Sequence, residues 1–128
     1  MDEIIFKISK NSLRKESLIE MAKERFEDIK KESKIYKIVE EYYEIIKELI
    51  TALMYQDGFK TLSHKMLIVY LQNNYKNFDS AEIFLIDDLR KLRNNIVYYG
   101  KKVEKEFLLN NEKDIKFVIS KLFKTLKK

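Results

Sequence analysis

Cysteine and proline are absent from this 128-residue chain, glycine occurs twice and histidine once. Without cysteine there are no disulfides and no thiolate metal site, which fits a reducing compartment, and a cytoplasmic location is expected. A single histidine with no cysteine beside it makes a transition-metal centre a poor expectation, so no metal and no cofactor are predicted. With no proline and two glycines, a fold built on many tight turns would lack its turn residues, whereas long helices need few of them. No glycine-rich phosphate loop, zinc-protease motif or serine nucleophile elbow occurs. No apolar run approaches the length that spans a bilayer, so no membrane association is expected. The opening MDEIIFKISK places acids first and has no long apolar core, so it does not read as a signal peptide.

What is present is charge and aliphatic bulk. Charged residues make up 37% of the chain and hydrophobic ones 45%, enough for a core without cross-links. The length suits one domain, residues 1–128, with one core. Basic side chains number 26 against 21 acidic, a net charge of +5. That mild excess permits contact with RNA, DNA or other phosphates, and is equally compatible with a solvated surface.

Apolar periodicity divides the chain into five helical segments, and the fold class expected is all-α, an antiparallel up-down bundle of four to five helices. The first segment runs from Ser12 to Lys31 on the stripe Leu18, Ala22, Phe26, Ile29, with Asn11 or Ser12 as cap. The second runs from Lys34 to Gln56. Its stripe is broad enough to need more than one neighbour, and Asp57-Gly58 ends it. The third starts at a Ser63 cap, with Leu62 and Leu67 spaced as a hydrophobic staple. Its run MLIVYL has strand character, but the cap and the lack of a partner strand favour helix. The fourth opens on a capping box, Asp79 with Glu82, flanked by Phe78 and Ile83, and should reach Tyr99 before Gly100. The fifth carries Ile115, Val118, Ile119, Leu122 and Leu126, capped by Asn110 or Asn111, after a short turn from Val103 to Leu109. The first ten residues fit a helical turn or a packed arm.

The fourth helix carries the candidate chemistry. At about 100° per residue, Leu85, Leu89, Leu92, Ile96 and Tyr99 gather on one side as a core face, with Ile86 and Val97 on its flank. Arg93 falls between Leu89 and that flank, and Arg90, Asn94 and Tyr98 continue around it. A cation framed by aliphatic side chains needs a partner. Either an intrachain ion pair or a snorkelling stem accounts for Arg93, or it points into a cleft that takes phosphate.

The stretch LRKLRNNIVYYG, Leu89 to Gly100, resembles the signature helix of the HEPN domain, above all its short archaeal members. GFKTLSHKMLIVYL, Gly58 to Leu71, is similar to the helix that precedes it in those proteins. The resemblance implies a helical bundle that homodimerises. In many members it also implies a metal-independent ribonuclease whose motif is Arg, four to six residues, then His. Other members pair with a minimal nucleotidyltransferase in toxin–antitoxin modules. On this motif Arg93 matches the arginine and Asn94 the polar residue after it, while the histidine position falls at Tyr98, or at Tyr99 with longer spacing. A phenol with a reference pKa near ~10 is a poor general base where imidazole would serve. The resemblance thus implies fold and dimer more directly than catalysis.

His64 reads as a first-turn residue packed beside the Asp57–Thr61 loop; alternatively it reaches the Arg93 cleft and replaces the missing motif histidine. Most tyrosines, among them Tyr42, Tyr43, Tyr70 and Tyr75, fall on apolar stripes and read as core or interface aromatics. The leading expectation is a dimeric binding module that engages a nucleotide, RNA or a nucleotidyltransferase partner through Arg90, Arg93, Asn94, Lys101 and Lys102. The alternatives are an endoribonuclease using Arg93 with Tyr98 or His64, and a purely structural helical dimer.

Overall fold

The computed structural model describes residues 4–127, and the chain is mostly helical. The elements, in order, are β1 (Ile5–Lys7), α1 (Ser12–Ile29), α2 (Ile35–Asp57), β2 (Phe59–Thr61), α3 (His64–Asn74), α4 (Ser80–Tyr99) and α5 (Lys105–Leu126). The fold is the expected helical bundle with one small addition, a two-stranded ribbon.

Helix α2 is the axis, and the other four helices pack on it. Its buried residues Val39, Tyr42, Tyr43, Ile45, Ile46, Leu49, Ile50, Ala52, Leu53 and Met54 cover most of its circumference, in keeping with an apolar stripe broad enough for more than one neighbour. Gly58 ends the helix at φ 90°, its N–H donating to the Met54 carbonyl at 2.8 Å. A side chain at Gly58 would also press on the Ile8 carbonyl, 3.0 Å from where a Cβ would sit.

Polar ties fix the outer helices to this axis. The Tyr42 hydroxyl donates to Glu112 of α5 at 2.6 Å, and Arg25 of α1 donates to Glu41 and Glu48 at 2.9 Å each. Asp57 accepts from both Tyr70 and Tyr75 at 2.6 Å, closing α3 onto the end of α2. Lys121 of α5 donates to Glu82 and to the Asn77 carbonyl, holding the start of α4.

The helix starts agree with the sequence where capping chemistry is explicit. Asn11 accepts from Arg14, Ser63 from Met66, and Asp79 and Glu82 form the reciprocal box. Phe78 and Ile83, flanking that box, are both buried.

Four expectations need correction. Of the two readings of the first ten residues, the helical turn fails: residues 5–7 pack as strand β1, antiparallel to β2 with Phe6 opposite Lys60. The ribbon adds Ile8 N–H to Gly58 carbonyl at 2.8 Å and Asn11 N–H to Tyr55 carbonyl at 3.1 Å. Leu62 is 71% exposed, so no staple closes over Leu67. Helix α5 begins at Lys105 without a break, and Asn111 lies inside it, donating to the Phe107 carbonyl rather than capping. On α4 the fully buried arc is Ile83, Ile86 and Leu89. Leu85, Leu92 and Ile96 are only partly buried, and Tyr99 is 73% exposed. The core face is rotated toward Ile86, and in the last turn Val97, Tyr98 and Tyr99 are exposed while Ile96 still packs inward.

Candidate functional site

The rotation of α4 brings Arg93 into line with Ile86 and Leu89, so its side chain turns toward α2 and is only 18% exposed. There it meets Tyr43, whose buried ring centroid lies 6.0 Å from the Arg93 Cζ. The same ring lies 5.7 Å from the ring of His64, the first residue of α3. Tyr43 therefore joins residues from three helices at one place. One turn further along α2, Lys47 pairs with Glu44 at 2.7 Å. Arg90, one turn before Arg93, is held by Asp87 at 2.8 Å. The cluster thus contains three cations, Lys47, Arg90 and Arg93, and two carboxylates, one of them shared between Lys47 and Arg93.

The contacts of Arg93 differ in kind from those of its neighbours. Its Nη2 stands 3.6 Å from Glu44, and its Nη1 donates to the Asn94 side-chain oxygen at 3.4 Å. Both are longer than an ordinary N–H···O bond of about 2.9 Å, so most of the hydrogen-bonding capacity of the guanidinium is unspent. Asn94, the next residue along α4, is its partner here rather than a separate arm.

The electrostatics agree with this grouping. Burial, then the charges of Lys47 and Arg93, lower the pKa of His64, with Glu44 opposing and Arg90 adding to the effect. Neutral imidazole is favoured as a result. Burial raises the pKa of Tyr43 strongly, against the pull of Arg90 and Arg93, so the phenol stays protonated. A hollow of about 400 Å³ opens beside Arg93, lined also by Glu32, Lys37, Glu40, Glu41 and Glu44. Its four carboxylates repel anions.

The remaining sequence candidates lie elsewhere. Tyr98 is 67% exposed. Five residues beyond Arg93, it sits about 140° around the helix and about 7.5 Å along it. Tyr99 is on no shared face with Arg93 either. Lys101 and Lys102 follow the left-handed Gly100 and, with Ile35, Tyr36, Ile96 and Val103, line a separate hollow of about 370 Å³. Tyr43 reads from sequence as a core or interface aromatic, and it is buried; Glu44 and Lys47 were not singled out. The available signal was a polar pair three residues apart interrupting the broad apolar stripe of α2. Among the described residues no group of His, Asp and Glu is placed to hold a metal ion, and no helix is long and apolar enough to cross a membrane.

Compared with known proteins, the chain matches no family model, and no curated protein and no solved structure matches it.

Proposed function

We propose that this chain is a dimeric, HEPN-like binding module that holds a phosphate-bearing ligand, a nucleotide or the backbone of RNA, against Arg93, with Lys47, Arg90 and His64 around it. The observation that carries this reading is the unspent guanidinium: a largely covered arginine whose two contacts, at 3.4 and 3.6 Å, are long enough for phosphate oxygens to displace. The likeness of Leu89–Gly100 to the HEPN signature supports the dimer, as does the apolar outer end of α4, where Val97, Tyr98 and Tyr99 are exposed. The protein partner that this likeness points to is a minimal nucleotidyltransferase of the toxin–antitoxin type.

Calorimetric titration with nucleotides and short RNAs tests the site. Arg93→Ala is expected to weaken binding at least tenfold. Arg93→Lys should recover little, because a point charge cannot replace the planar fork. Unchanged binding in both variants would remove the proposal. Light scattering tests assembly, and a monomer at micromolar concentration would defeat the dimer.

One observation favours a second reading, an endoribonuclease: His64 is brought to the same tyrosine ring as Arg93 and its neutral form is favoured. In that reaction His64 would take the 2′-hydroxyl proton as the 2′-oxygen bonds to phosphorus. The 5′-oxygen would leave with a proton from solvent, and Arg93 would steady the charge on phosphate. The single imidazole and the exposed Tyr98 leave no evident group to protonate the leaving oxygen, so weak cleavage or none is expected. A mixed RNA pool in chelator checks this. Strong cleavage that disappears in His64→Ala makes the enzyme the correct reading; cleavage gained only in Tyr98→His makes the chain a scaffold lacking its imidazole.

A further inference from the structure

Helices α1 and α5 both pack on α2 but touch each other little, which leaves a groove along the side of the bundle away from the Arg93 cluster. Its floor is Phe26 of α1 with Ile119 and Phe123 of α5. Its rim is Lys23, Lys116, Lys124 and Lys127, all exposed, and none of the four forms an ion pair among the described residues. No carboxylate lines it. Elsewhere on the molecule cations and acids are interleaved, as at Glu27 with Lys30 or Asp87 with Lys91.

We propose that this groove docks an acidic amphipathic helix of a partner protein, its apolar stripe on Phe26 and Phe123 and its carboxylates on the four lysines. Charge complementarity selects the occupant. Four unpaired like charges around an apolar strip repel one another until acids lie between them, and an amphipathic helix supplies acids and apolar anchors on one face. A second copy docked with the same groove would bring eight ammonium groups together, since the patch on each copy carries four. A nucleic acid would satisfy the lysines but leave the phenyl floor without a partner. An anionic membrane is flat where this surface is concave.

The test uses the full chain and a labelled synthetic helix with leucine or phenylalanine every third and fourth residue and glutamate elsewhere. Fluorescence anisotropy should show binding that weakens steeply with salt and falls at least tenfold in Lys116→Glu/Lys124→Glu. Phe123→Ser, partly exposed and away from the Arg93 cluster, should weaken it comparably, and circular dichroism establishes that each variant is folded. Lysine-for-glutamate peptide should not bind. Equal binding of a scrambled acidic peptide would overturn the proposal, because the apolar register would then be irrelevant. So would binding to vesicles of mixed anionic and neutral phospholipid, or to a short RNA, in preference to the helix.

Discussion

Two arginines pair with carboxylates of α2, and they use it in opposite ways. Arg25 of α1 sits in a fork of two carboxylates, 2.9 Å from each, and one of these, Glu48, is only 4% exposed. Arg93 of α4 stands 3.6 Å from a single shared carboxylate. Their partners Glu41, Glu44 and Glu48 belong to one face of one helix. At 100° per residue Glu41 and Glu48 nearly coincide, and Glu44 is offset by about 60°. That offset separates a clasp from a vacancy. Where two acids stand about two helical turns apart on one line, an arginine between them is consumed in holding the bundle; where one acid is shared with a lysine, the arginine keeps capacity for something else.

The sharpest way to break this contrast is Arg25→Ala. It strands Glu48 in the core with one oxygen already lacking a partner, and a loss of about 3 kcal/mol is expected in urea unfolding. The loss should also depend on pH. Burial raises the Glu48 carboxyl above its usual value, against the hydrogen bond and charge of Arg25. A raised carboxyl stabilises the fold most when protonated, below about pH 4.5, and that contribution fades as pH climbs through the raised pKa. Removing Arg25 raises it further, so the cost of the substitution should grow from acid to neutral pH. A cost that is flat with pH would mean Glu48 is not the stranded group.

Arg93→Ala is expected to cost less than ~1 kcal/mol, in keeping with its long contacts. A cost like that of Arg25→Ala would place Arg93 among the structural clasps and favour the purely structural dimer. The smallest effect concerns His64, whose NMR titration should fall below the ordinary 6.5, mainly from burial and then from Lys47 and Arg93. In Arg93→Ala the midpoint should move part of the way back. The sign for stability follows: a depressed imidazole favours the fold above about pH 6.5, and this advantage is lost as pH falls through the lowered pKa. An unmoved midpoint in Arg93→Ala would separate the two residues.

How legible the molecule was depended on the range of the interactions. Helix starts carried by neighbours in sequence, such as the Asp79–Glu82 box, could be read directly. Asn111 misled because its amide had an alternative acceptor, the Phe107 carbonyl one turn back. Strand β1 could not be read, since Ile5-Phe6-Lys7 pairs with residues more than fifty positions away and no turn joins them. The tilt of the α4 core face toward Ile86, and with it the exposure of Tyr99, is set by packing on α2 and α3. Arg93 stood out from sequence because a cation in an apolar run is locally conspicuous. The gathering of Lys47 near it depends on how α4 packs on α2, and that of His64 on how α3 returns across α2, which no local pattern encodes.

The small ribbon has a kinetic meaning. It joins residues 5–7 to a segment that follows α2, so it can close only after α1 and α2 have packed together, and it then adds only a few backbone bonds. Such a fastening forms late and opens first. The amides of residues 5–8 should therefore exchange with solvent well before those of α2, while the rest of the bundle is still closed. Through Asn11, which both receives the ribbon and caps α1, each opening also loosens the first turn of that helix. The bundle thus contains a unit of low cooperativity at its N-terminal edge, one that a protease or an exchange experiment would detect before any global unfolding.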